Sequence, residues 1–206
     1  MWSWIQHYSG AFSAITSLLM LLVWFVYLQL LLVAYRRRWR STVLINRGGG
    51  LGTEARCLIS NMSAEAIYLT SLIAFVTTDD KTYRQELTDL RDLGDALDAD
   101  PRSRMKQGPL KAGEYLDIGT FHDLILTIGD NEGQGSNEEW LASVRSLELT
   151  AVIVYGADDL LAGARRTFEI RHTDDDIQIC PTTSDSQQIR SRRERRKIEK
   201  LLQDSL

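Results

Sequence analysis

The side chains able to do chemistry are few and scattered. Histidines stand at positions 7, 122 and 172, and cysteines at 57 and 180. A Cys57–His122 or Ser–His pair would supply a nucleophile and its base, and such sites are assembled in space, but no spacing here nominates one. The histidines are far apart, with His7 expected on the other side of a membrane, so they offer no metal-ligand pattern. RGGGLGTE, Arg47 to Glu54, has the glycines of a phosphate cradle. It lacks the Lys-Ser/Thr ending of a phosphate loop and joins two strands, so it reads as a hairpin loop. Acidic clusters at Asp79–Asp80, Asp95/Asp98/Asp100, Asp158–Asp159 and Asp174–Asp176 carry calcium-type ligands without the EF-hand spacing, and read as solvated turns. The sequence thus nominates no catalytic residue, no metal site and no cofactor, and the chain is expected not to be an enzyme.

Such groups would have to be positioned by a mainly β domain. After Arg40 the apolar residues fall into short β-branched and aromatic segments separated by Gly, Asn and Asp. Strands are expected at Thr42–Asn46, Ala55–Asn61, Ile67–Thr77, Lys81–Leu87, Glu114–Ile118, Asp123–Ile128, Leu147–Tyr155, Ala164–His172 and Asp176–Cys180. In Leu147–Tyr155, Leu147, Leu149, Ala151, Ile153 and Tyr155 share one face while Glu148 and Thr150 share the other. GADDLLAG, Gly156 to Gly163, is expected to close a hairpin. Leu87, Leu90, Leu93 and Leu97 recur at helical spacing, so 85–98 reads as a short amphipathic helix as readily as a strand. Residues 98–108 and 129–139 read as loops.

Many short strands without regular helical crossovers favour an antiparallel sandwich. ISNMSAEAIYL and GPLKAGEYLDIG resemble segments of immunoglobulin-like sandwiches, in which an Asn-bearing turn links two strands and a Pro-Gly bend leads into the next. The resemblance implies architecture, loosely over residues 42–181, and no functional residues.

The N-terminus is different. Residues 1–35 contain no Lys, Arg, Asp or Glu. From Ile15 to Tyr35, thirteen residues are Leu, Ile, Val or Phe. At roughly −0.3 to −0.6 kcal/mol each they favour insertion by about 4 to 8 kcal/mol, more than Gln29 opposes. No basic residue precedes the run, as a cleavable signal would require. Arg36, Arg37, Arg38 and Arg40 follow it, so the positive-inside rule puts the N-terminus outside and the remainder in the cytoplasm. Trp39 lies among these arginines at the membrane interface, and a bacterial inner membrane is the expected home. The parts are a short outer segment (1–14), a transmembrane helix (15–35), a basic flank (36–41), a cytoplasmic sandwich (42–182) and a basic C-terminal helix (183–206). Gly10 with Ala14, Ser13 with Ser17, and Gln29 are candidates for helix–helix contact and self-association. With the domain in a reducing compartment, Cys57 and Cys180 are expected as free thiols.

The net charge of −4 conceals an asymmetry. Five arginines at 36–47 give +5 and residues 189–206 give +4, leaving −13 on residues 48–188. The first strand begins a few residues beyond Arg40, so the acidic surfaces are expected to turn away from anionic lipid. In the tail, Ser184 is the candidate N-cap of a helix bearing Arg190, Arg192, Arg193, Arg195, Arg196, Lys197 and Lys200. Those seven would contact lipid headgroups, a protein partner or the acidic domain itself, or remain solvated; no aromatic residue interleaves them to stack on bases, so nucleic acid is not expected. The expectation is a membrane-anchored adaptor or accessory subunit presenting an acidic sandwich to a membrane-protein or cytoplasmic partner. The alternative is a ligand sensor signalling through transmembrane helix association.

Overall fold

The computed structural model describes residues 9–38, 41–87, 106–135, 137–155, 161–173 and 176–203. The chain divides into two compact units, Met1–Arg40 and Ser41–Leu206. In the first, helix α1 spans Ser9–Arg38, and its Gly10–Tyr35 stretch is long and apolar enough to cross a membrane. Its side chains from Gly10 to Tyr35 are all exposed. An apolar surface on every side is what a membrane span requires. It runs through Gly10, Ser13 and Ala14, which the sequence reading placed in a segment before the helix.

The second unit is a mostly antiparallel, sandwich-like pair of sheets. One sheet has the order β1-β2-β6, from strands Val43–Gly48, Arg56–Asn61 and Tyr115–Thr120. The other runs β10-β8-β7-β3-β4: Gln187–Ile189, Ala162–Thr173, Val144–Tyr155, Ile67–Thr78 and Thr82–Glu86. Short β5 (Gly108–Leu110) pairs with β3, and β9 (Asp176–Pro181) with β8. Alternation decides which faces meet. Val43, Ile45, Cys57 and Ile59 of the first sheet, and Leu147, Leu149, Ala151, Ile153 and Phe168 of the second, are fully buried in one core. Strands β7 and β8 pair antiparallel, as a hairpin requires, with Leu147 opposite Phe168. Gly49 and Gly50, at φ +80 and +144, give the Arg47–Glu54 loop a path closed to other residues and complete the β1–β2 hairpin.

Fully buried Asn61 knots the two segments that resemble immunoglobulin-like turns. Its amide donates to the carbonyls of Glu65 (2.9 Å) and Leu110 (3.0 Å) and accepts from the Ser63 amide, while Gly113 N–H donates to its backbone carbonyl.

Three expectations are corrected. Asp123–Ile128 is helix, not strand: α2 spans Phe121–Asn131, with Thr120 Oγ1 accepting the Asp123 N–H at 3.0 Å. Phe121, Leu124, Ile125 and Ile128 are buried at helical spacing, and the cap that starts this period lies just before the apolar run. The expected loop 129–139 holds the end of α2 and the start of α3 (Glu138–Ser143), which Asn137 caps. The C-terminal helix, α4, spans Arg192–Gln203, not a stretch from 183. Ser191 caps it, its Oγ donating to the Glu194 carboxylate at 2.6 Å and accepting the Glu194 N–H at 3.3 Å. The Ser184 carbonyl instead accepts from Arg166, and 187–189 belong to the sheet. Of 85–98, Gln85 and Glu86 lie in β4; residues 88–98, and residues 156–160 of the expected hairpin loop, lie outside the described residues.

Candidate functional site

The register gives the sandwich two unlike ends. Strand β1 starts at one end, beside the end of β2 and the starts of β3 and β6; we call this the entry end, because Ser41 lies there and follows Arg40 directly. The β1–β2 loop, the β3–β4 turn and helices α2 and α3 lie at the far end.

At the entry end, β1 is the edge of its sheet, and an unpaired edge offers free N–H and C=O groups to any passing strand. Side chains from the C-terminal segment occupy them. Gln188 accepts the Val43 N–H at 3.1 Å and donates to the Val43 carbonyl at 2.7 Å. Ser186 Oγ accepts the Ile45 N–H at 2.8 Å, and Arg190 donates to the Ser41 carbonyl at 2.8 Å. Residues 186, 188 and 190 alternate along a strand, so all three reach the same way. Arg166, buried on the core face of β8, completes this clasp. Its guanidinium donates to the carbonyls of Ile45 (2.7 Å), Thr183 (2.9 Å) and Ser184 (3.0 Å) and to the Asn46 side chain, and it lies 5.6 Å from the Phe168 ring centre. Burial pulls its pKa down, against the pull of Asp185; a guanidinium stays charged regardless.

Beyond the clasp, α4 lies on the outer face of the larger sheet. Ile198 and Leu202 pack with Ile73, Phe75, Val152, Leu161 and Ile189. Gly163 permits the close strand approach beneath: a Cβ there would lie 2.5 Å from the Ala151 carbonyl and 3.7 Å from Ile198. Arg192, Arg193, Arg196, Lys197 and Lys200 are exposed and form no ion pair among the described residues. Arg195 is half-buried, its Nε without a partner among the described residues. The tail thus folds onto its own domain through apolar contacts and leaves its positive charge outward. Between helix and sheet lies a cleft of about 160 Å³ lined in part by Glu148, Arg165, Glu194 and Lys197.

The far end is acidic. Glu54, Asp80, Asp130, Glu138 and Glu139 are exposed there and form no ion pair among the described residues. Asp79 is held by Arg145 through a two-pronged pair at 2.8 and 2.7 Å, which lowers its carboxyl pKa.

The remaining chemical groups stay dispersed. Both cysteines are free thiols, and burial, opposed by Lys106, pushes Cys57 up to about 12, far from a thiolate at neutral pH. His122 Nδ1 lies 3.7 Å from Asp123, and His172 bonds the Val144 carbonyl at 3.0 Å. No group of three His, Cys, Asp or Glu able to hold a metal occurs among the described residues. Of the acidic clusters, residues 95, 98, 100, 158, 159, 174 and 175 lie outside the described residues, as do His7, Trp39 and Arg40. Arg36, Arg37 and Arg38 form the last turn of α1. At about 100° per residue, Gly10, Ser13, Ala14 and Ser17 fall within one arc of α1 while Gln29 lies about 60° beyond it.

Sequence reasoning passed over two features. Strand β10 has only three residues, too few to show a period, and Gln188 within it finds its donor and its acceptor on a strand 145 residues earlier. Lys106, 1% exposed and left-handed at φ +47, has no partner for Nζ among the described residues; burial, opposed by Cys57 and Asp123, lowers its pKa to about 8. No motif surrounds it. Compared with known protein families, curated proteins and solved structures, the chain matches none.

Proposed function

We propose that the chain is a membrane-anchored, non-catalytic adaptor or accessory subunit, with its N-terminus outside, its sandwich in the cytoplasm and an inner membrane as its home. The sandwich on this reading is an immunoglobulin-like variant with α2 and α3 inserted between β6 and β7. The observation that carries the function is the polarity of the domain: unpaired carboxylates gather at the end opposite Ser41, where a basic protein surface would meet them. The clasp supports it, because fastening the first strand to the C-terminal segment gives that acidic end a firm mount. The test is extraction of the tagged full chain in mild detergent and mass spectrometry of what co-purifies. A stoichiometric protein retained by the full chain and lost on Glu54→Gln, Asp80→Asn and Asp130→Asn is the expected result. Recovery of the protein alone, or a partner indifferent to those changes, overturns it.

The small cleft under α4, with acidic and basic groups facing one space, favours a second reading, a ligand sensor coupled to self-association of the membrane helix. Gly10→Leu and Gln29→Leu in a reporter of transmembrane association then weaken the signal; unchanged association removes the coupling.

A further inference from the structure

We infer that the entry end of the sandwich is a docking face for anionic lipid headgroups. Among the described residues after Ser41, the exposed large apolar side chains are Leu51, Met62, Tyr68, Tyr115 and Val154. Register puts the last four at one end: Met62 in the turn after β2, Tyr68 near the start of β3 opposite Val154, and Tyr115 at the start of β6 opposite Ser60. That is where Ser41 enters. Met62, Tyr68 and Tyr115 are 58%, 46% and 65% exposed.

These side chains form a rim and not a patch. Tyr115 stands on the outer face of the smaller sheet, Tyr68 and Val154 on that of the larger. A protein interface needs a contiguous, closely packed centre. A lipid surface is broad and deformable, and separated tips can enter it together. Phenol rings and thioethers suit the boundary between headgroups and hydrocarbon. Charge points the same way. Arg190 is bonded to Ser41, and Arg192 and Arg193 follow within a chain reach of roughly 7 to 10 Å. Both are exposed and unpaired among the described residues. Among the described residues the carboxylates near this end are Glu65, Glu114 and Glu194; Glu114 accepts the Lys111 N–H and Glu194 accepts the Ser191 hydroxyl. The acidic far end is then held away from lipid that would repel it.

The inference rests on α1 crossing a bilayer, and the experiment reads the two separately. Full-length protein is assembled into nanodiscs of phosphatidylcholine, with and without phosphatidylglycerol. Incorporation itself reports the anchoring. Hydrogen exchange in peptides covering Asn61–Tyr68, Glu114–Leu116 and Ile189–Arg193 reports docking. Exchange slower in anionic discs, restored by high salt, is expected, and neutralising Arg192 or Arg193 to Gln should lower the docked-to-undocked ratio about fivefold each. Tyr115→Ser should speed exchange in anionic discs without altering incorporation. Equal exchange in the two kinds of disc overturns the proposal and leaves the rim to a protein.

Discussion

Arg166 and Lys106 both carry a basic group into the sandwich, yet Arg166 bonds through both terminal nitrogens, leaving only Nε without a partner, while Lys106 Nζ has none among the described residues. Arg166 reaches the carbonyls of Ile45, Thr183 and Ser184 and joins strands about 120 residues apart. Lys106 Nζ has no hydrogen-bond partner among the described residues, and burial is the largest influence upon its pKa. A guanidinium cannot shed its proton, so the fold must solvate it; an amine escapes the cost of burial by titrating. The contrast teaches that a buried cation is structural here only where backbone acceptors converge, at the clasp.

The sharpest break of that contrast is Arg166→Met. It strips donors from three carbonyls at the junction of β1, β8 and the C-terminal segment, and should cost about 4 kcal/mol. Denaturant unfolding of the full chain in detergent, followed by near-ultraviolet circular dichroism, measures it. Arg166→Lys should recover less than half, since an ammonium cannot span the same fork. A loss under about 1 kcal/mol would mean that Ser186 and Gln188 hold the clasp unaided.

Lys106→Met should do the opposite and stabilise the domain by about 3 kcal/mol at neutral pH, the equivalent of an amine brought from 10.5 to about 8. The sign shows in pH dependence. The unfolded chain holds this proton more tightly, so native stability contributed by Lys106 rises from about pH 8 to 10.5 and is fully lost below 8. Cys57 runs the other way, because its thiol is raised from 9.0 to about 12: its contribution is complete below 9 and lost on rising toward 12. Between pH 8 and 9 only Lys106 is expected to act, and the methionine variant should flatten that segment. An unchanged slope would show that water reaches the amine.

The sequence spoke clearly wherever a period ran long enough. Apolar alternation in β7 and β8 and the uninterrupted apolar run of α1 needed no tertiary knowledge, since a one-sided apolar face and an all-round apolar surface are both written in neighbouring residues. Helix α2 was misread because Leu124–Ile128 alone satisfies both periods, and only Thr120 and Phe121 break the tie. The clasp was illegible for a different reason. Ser186, Gln188 and Arg190 are ordinary polar residues in a polar stretch, and their roles depend on β1 arriving beside them. Charge blocks were visible along the chain, but that the carboxylates gather at one end follows from strand register, which no local pattern fixes.

Gln188 sharpens the comparison at the smallest scale. Its amide both donates and accepts at Val43, replacing a paired strand, and Gln188→Ala leaves one N–H and one carbonyl of the edge without partners. Water reaches a half-buried edge, so the expected cost is about 2 kcal/mol, below that of Arg166. Gln188→Glu separates hydrogen bonding from shape: a carboxylate still accepts the Val43 N–H but faces the Val43 carbonyl with no proton to give. Hydrogen exchange at Val43 is the direct reading. It should quicken in the alanine variant and stay slow in the glutamate variant, whose loss falls on the carbonyl alone. Quickening in both would show that the edge is held by the whole C-terminal segment moving as a unit, with the side-chain bonds following its position.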